Sequence, residues 1–117
     1  MKENKLLNLS QEFALKVIKL ANNLRDKKEH SFADQIKRSG TSISANIAEA
    51  NYPQSRLDMI SKFEIALKEA NETENWLIIL NNSNLVEKSI FELLHNKVIK
   101  IKILLITSIK TLKSKLN

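Results

Sequence analysis

Apolar residues recur every three or four positions along almost the whole chain, a spacing that predicts helices from end to end. A first helix is expected over residues 10–28, with Ser10 as its N-cap, Phe13, Val17, Ala21 and Leu24 on its buried side, and a loose tail before it. Ser31 followed by Asp34 has capping-box spacing and opens a second helix over 31–50, whose stripe is Phe32, Ile36, Ile43 and Ile47. Pro53 disfavours helix at the residue before it, so 51–54 make a break. Ser55 with Asp58 then repeats the capping pattern and starts a third helix over 55–80. Its stripe runs Met59, Phe63, Ala66, Ala70, Thr73 and Leu77. After the polar turn at 81–84, a fourth helix is expected over 86–115. Within it Ile99, Ile101 and Ile103 alternate as in a strand. The longer series Phe91, Leu94, Val98, Ile101, Leu105, Ile109, Leu112 and Leu116 decides for a helix about 40 Å long.

Four helices with short connections predict one all-α domain over residues 1–117, an antiparallel up-down-up-down four-helix bundle. A monomeric bundle leaves some apolar residues without cover. The fourth helix carries Ile99, Ile103 and Ile106 off its core stripe, and the third carries Ile65, Trp76 and Ile79. Apolar surface of that kind marks an interface, so a homo-oligomer is expected.

The second helix also carries a polar ladder. Gln35, Arg38, Ser42, Asn46 and Glu49 fall beside the isoleucine stripe, and they are mostly short, hydrogen-bonding side chains where a solvated face would favour Lys and Glu. They read as residues that fix helix packing or subunit register. Glu74 on the third helix falls near the core stripe, which suggests Arg38 as its partner in a structural ion pair.

Composition narrows the chemistry. The single glycine, Gly40, and the single proline, Pro53, leave no room for a phosphate-cradling loop. The absence of cysteine excludes disulfides, thiolate metal sites and thiol nucleophiles. Two histidines, His30 and His95, make no ligand set, so neither a metal nor a cofactor is expected. Arg25 and His30 have the Arg-x4-His spacing of HEPN-type ribonucleases. That pattern arises readily in a Lys-rich loop, and here it ends the first helix where that family places it later, so catalysis is not expected. Apolar runs such as Ile103 to Ile106 are far short of the roughly 20 residues of a membrane span, and the chain reads as a cytoplasmic protein.

The net charge of +6 is unevenly spread. Residues 1–29 carry seven Lys or Arg against four acids, 51–80 carry three against five, and 97–117 carry six lysines and no acid. Lys16 and Lys19 on the first helix, with Lys97, Lys100, Lys102, Lys110, Lys113 and Lys115 on the last, are the candidates for contact with RNA, DNA or an acidic protein surface.

Two segments carry a resemblance. Gln35-Ile36-Lys37-Arg38-Ser39, continuing through Ser42-Ile43 to Asn46-Ile47-Ala48-Glu49, and the run from Lys62-Phe63-Glu64 through Glu69-Ala70-Asn71-Glu72-Thr73-Glu74-Asn75-Trp76-Leu77, are similar to motifs of the bacterial 23S rRNA-intervening sequence proteins. That family includes the accessory proteins of diversity-generating retroelements. Ala50 stands where the family usually has Gly. The resemblance implies a non-enzymatic four-helix bundle assembled as a ring-like homopentamer. In its retroelement members it also implies binding of nucleic acid and of a reverse transcriptase. Two functions follow as expectations: nucleic-acid binding through the basic surfaces, or a protein-interaction scaffold or accessory subunit with no nucleic-acid role of its own.

Overall fold

The computed structural model describes the backbone of residues 2–116 and the side chains of 5–116. Four helices follow in order: α1 (Lys2–Asp26), α2 (His30–Ala50), α3 (Arg56–Asn82) and α4 (Lys88–Ser114). There is no strand among the described residues, and α4 runs unbroken through the alternating segment at 99–103.

Contacts between neighbouring helices run in opposite directions along the two chains. Arg38 meets Glu69 while Glu49 meets Lys62, and Glu74 meets Lys102 while Glu64 meets Lys113. Lys97 meets Glu12 as α4 returns beside α1. The diagonal helices do not approach each other, which makes this an up-down-up-down bundle, a rod of 50 × 21 × 20 Å. The seam between α1 and α4 is the loosest of the four.

Most of the predicted stripe residues form the core, with Phe32, Phe91 and Leu112 half-buried at its edge and Leu116, beyond the end of α4, exposed. Phe13, Val17, Ala21, Leu24, Ile36, Ile43, Ile47, Leu94, Val98 and Leu105 are all buried, as are Phe63, Ala66, Ala70, Thr73 and Leu77. Met59, at the start of the expected α3 stripe, is only half-buried, and Ile60 beside it goes inside instead. Burying a side chain of this size is worth about 1.5–3 kcal/mol, against roughly 0–1 for an exposed ion pair, so the stripes set the fold and the surface charges adjust it.

The helix ends differ from expectation most at the starts of α1 and α2, while α3 runs on to Asn82 into the turn expected at 81–84 and α4 starts at Lys88. α1 starts at Lys2, so what was expected as a loose tail is helix. Leu6 and Ser10 extend the buried stripe of Phe13 upstream, and the Ser10 hydroxyl donates to the Leu7 carbonyl 2.8 Å away inside the same helix. A serine satisfied this way mimics a start signal in sequence. Ser31 caps nothing, because α2 begins at His30 with Glu29 in the cap position and no side-chain cap, while Asp34 takes the Arg25 guanidinium across the turn. At α3 the expected cap forms: Ser55 Oγ accepts from the Asp58 amide at 3.0 Å, and the Asp58 carboxylate accepts from the Gln54 amide at 3.1 Å.

Two turns end with a left-handed residue, Lys28 at φ 67° and Asn84 at φ 58°. In each, the next amide reaches back over a full turn, Glu29 to the Leu24 carbonyl and Leu85 to the Leu80 carbonyl, which is the Schellman closure. Asn tolerates this backbone well and Lys less so. Ala50, by contrast, keeps a right-handed backbone, so the glycine usual in the family is not required for α2 to end there.

At Gly40 the backbone of α2 packs directly against α1. A methyl group placed on it would lie 2.7 Å from Val17 Cγ1 and 3.0 Å from Cγ2. Val17 is fully buried and, being β-branched in a helix, has one favoured rotamer and cannot swing away. Gly40→Ala therefore costs about 1–3 kcal/mol of overpacking, which outweighs the roughly 1 kcal/mol gained in helix propensity. Urea unfolding is expected to show a net loss of stability for Gly40→Ala and substantial recovery in the double variant with Val17→Ala.

Candidate nucleic-acid interface

The polar ladder of α2 lies on the α2–α3 seam. Arg38 is bound by both Glu69, at 3.1 Å, and Glu72 of α3. Lys62 reaches Glu49 at 3.3 Å. Between these anchors the ladder folds back on its own helix, with the Ser42 hydroxyl donating to the Arg38 carbonyl and the Asn46 amide donating to the Ser42 carbonyl. Gln35 is exposed. The inward-facing neighbours of the ladder make the tighter link: the Thr73 hydroxyl donates to Ser39 Oγ at 2.9 Å, with both residues fully buried. Neither Ser39 nor Thr73 stood out in the sequence as a polar pair, because each sits inside an apolar stripe.

The expected Arg38–Glu74 pair does not form. Glu74 faces α4, where Lys102 Nζ lies 2.7 Å from one carboxylate oxygen and His95 Nε2 lies 3.1 Å from the other. Glu69 and Glu72 stand five and two residues before Glu74 on α3 but on its α2 side, so they reach Arg38 and Glu74 does not. Trp76, expected at a subunit contact, is half-buried within the protomer. Its ring meets Phe32 edge-on at 6.0 Å, and its indole N–H donates to Glu72. Of the other candidate interface residues, Ile99 is half-buried, while Ile103 and Ile106 are 58% and 39% exposed on α4.

The lysines of α4 do not form one strip. Lys102 and Lys113 turn toward α3 and are paired there with Glu74 and Glu64. Lys110 and Lys115 are exposed nearer the end of the helix. Lys97 and Lys100 turn toward α1, where they meet Lys16 around a single carboxylate, Glu12. The hydrogen bond from Lys97, at 3.1 Å, holds the Glu12 carboxyl below its ordinary range, and the charges of Lys97, Lys16 and Lys100 act in the same direction. Lys19 follows one turn along α1, at the rim of a groove of about 480 Å³ between α1 and α4. Lys16, Lys19, Lys97 and Lys100 thus gather four ammonium groups along one seam. The pairing of Lys102 and Lys113, and the carboxylate of Glu12 at the centre of the basic cluster, were not evident in the linear sequence, since both depend on which helices become neighbours.

The remaining chemistry is modest. Among the described residues no group of His, Asp and Glu is arranged to hold a metal ion. Arg25 of the Arg-x4-His motif is engaged by Asp34, and His30 is exposed at the start of α2. Among the described residues no helix is long and apolar enough to cross a membrane.

Glu74 offers a pH test of the α3–α4 seam. The Lys102 hydrogen bond and charge, with His95, lower its pKa, and partial burial only partly opposes them. A carboxylate whose folded pKa is lowered adds stability above its unfolded pKa of about 4.3 and loses it as pH falls through the folded value. Glu74→Gln is therefore expected to lower stability by about 1 kcal/mol at pH 7. Thermal melts of the two proteins should converge as the pH falls below about 4.

Comparison with known proteins bears on the whole chain. The family model described as 23S rRNA-intervening sequence protein matches residues 2–107. A solved structure, described as a protein with unknown function from the S23 ribosomal protein family of Bacteroides thetaiotaomicron VPI-5482, is 46% identical, with a TM-score of 0.90. The match covers 94% of this chain and 99% of that one. A comparison with curated proteins finds no match.

Proposed function

The chain belongs to the family of 23S rRNA-intervening sequence proteins, and on that basis we propose that it is a non-enzymatic, oligomeric bundle that binds RNA or DNA through the α1–α4 seam. The observation that carries this reading is the cluster of Lys16, Lys97 and Lys100 around Glu12, continued by Lys19. Four cations against Glu12, with Glu87 on the opposite rim of the groove, leave a net positive strip on a rod-shaped molecule, suited to a phosphate backbone. The protein has few aromatic residues and the described face presents none, so stacking contributes little and recognition is weakly dependent on sequence.

Oligomerisation belongs to the same proposal. Ile103 and Ile106 on α4, with Ile65 and Ile78 on α3, are each 39–58% exposed and form no part of the bundle core. Burying them between subunits would repeat the basic strip around a ring, the homopentamer that the family resemblance implies, and turn weak phosphate contacts into avidity. Cytoplasmic placement is part of the proposal, as RNA and DNA would meet the protein there.

The test is fluorescence anisotropy with a labelled single-stranded oligonucleotide over a range of salt concentrations. Lys16→Gln with Lys100→Gln is expected to weaken binding about tenfold at low salt and to reduce the salt slope by about 1.4, whereas Lys102→Gln, a lysine already paired with Glu74, changes it little. A quadruple Lys16, Lys19, Lys97, Lys100→Gln variant that binds as tightly as the wild type would overturn the reading. Light-scattering mass measured on the same samples tests the assembly, and a clean monomer would remove that part of it.

A further inference from the structure

The groove between α1 and α4 has features that a phosphate backbone does not use. Its floor is aliphatic, made by Leu20 of α1 with Ile90, Leu93 and Leu94 of α4. Ile90 and Leu93 are 39% and 44% exposed there, apolar side chains left open at the loosest seam of the bundle. One rim is cationic in a regular way. Lys16, Lys19 and Asn23 follow one stripe of α1, and Lys27, in the turn just past its end, continues the rim and donates to the Leu85 carbonyl at 3.3 Å. The opposite rim carries an acid, Glu87.

From this arrangement we infer that the groove is a docking site for an acidic amphipathic helix of a partner protein. The partner's leucine-like stripe fills the floor, and its glutamate or aspartate flank lies along the lysine rim of α1. Charge and shape both select this occupant. A nucleic acid supplies repeated anions but no aliphatic surface, and this floor has no ring to stack on. A fatty acid supplies the chain but only one anion, where the rim repeats its cations along its length. A helix with apolar anchors at i, i+3 or i+4, and i+7 supplies both repeats with the same pitch as α1. Glu87 sets the direction of the asymmetry, since the flank facing α4 must be neutral or basic. A cavity of about 480 Å³ accommodates the anchors while the rest of the partner helix stays outside. The site goes beyond nucleic-acid binding but shares Lys16 and Lys19 with it, so the two ligands compete.

The probe is a fluorescein-labelled peptide of about 15 residues, side-chain-stapled as a helix, with leucines on one stripe and glutamates on one flank. It is titrated against the full-length protein beside a scrambled peptide of the same composition. The amphipathic peptide is expected to bind at least tenfold more tightly than the scrambled one. Leu93→Gln should remove most of that advantage while leaving oligonucleotide binding within about twofold, and Lys27→Gln should weaken the peptide severalfold. Melting curves establish that each variant is folded, and the scrambled peptide on wild-type protein needs no variant at all. Equal binding of the two peptides would overturn the inference. So would an amphipathic peptide that Leu93→Gln binds as well as wild type does. Oligonucleotide binding without peptide discrimination defeats this inference and leaves the nucleic-acid reading standing, and the reverse result defeats only the latter.

Discussion

Helix α2 is held at one point from both sides, and the rest of the bundle is arranged around that point. Gly40 lets α1 come so close that Val17 occupies the space a side chain would need. Ser39, the residue before it, faces the other way and accepts the Thr73 hydroxyl of α3 inside the core. Close packing is intolerant of displacement, since sliding either helix by a fraction of a turn replaces a contact with a clash. The inter-helix hydrogen bond is lost with it, each hydroxyl then falling back on a carbonyl of its own helix, Ile36 for Ser39 and Glu69 for Thr73. The aliphatic stripes supply most of the stability but are far less specific, because leucine and isoleucine pack acceptably in several registers.

The surface charges follow from that register. With α2 fixed against α3, Arg38 meets Glu69 and Glu72, and Lys62 meets Glu49. These pairs are partly exposed, Arg38 by about half, so they contribute little energy singly. Their consequence is for function. Four acids of α3, Glu64, Glu69, Glu72 and Glu74, are paired with Lys113, Arg38, His95 and Lys102, while on the α1–α4 side the ion pair among the described residues is Lys97 with Glu12. The division of the protein into a neutralised half and a basic half is a product of packing.

The same division gives the α1–α4 seam its character. It is the last seam to close in chain order, it joins the two most basic helices, and it packs most loosely. Mutual repulsion of Lys16, Lys19, Lys97 and Lys100 opposes a tighter approach, and Glu12 relieves only part of it. An open, basic seam with an aliphatic floor is thus what remains when the other three seams have satisfied their polar groups.

Much of this architecture was legible in the sequence. The period of Phe13, Val17, Ala21 and Leu24, and its counterparts in the later helices, was enough to assign four helices and their buried faces, because burial of one stripe is a local property repeated every turn. The motifs around Gln35–Glu49 and Lys62–Leu77 identified the family. Ser55 with Asp58 located a helix start correctly, whereas Ser10 and Ser31 misled, since a serine that bonds to its own helix looks the same in sequence as one that caps it. Only the tertiary structure decided which charges meet. Glu69, Glu72 and Glu74 lie within two turns of one helix, yet the first two face Arg38 and the third faces Lys102, a difference of phase that has meaning only once α2 and α4 are set on opposite sides of α3. Likewise the six lysines from Lys97 to Lys115 looked like one basic group and were divided between the α3 side, the α1 side and open solvent, because a helix turns about 100° per residue and its neighbours, not its sequence, determine which side is left open to a ligand.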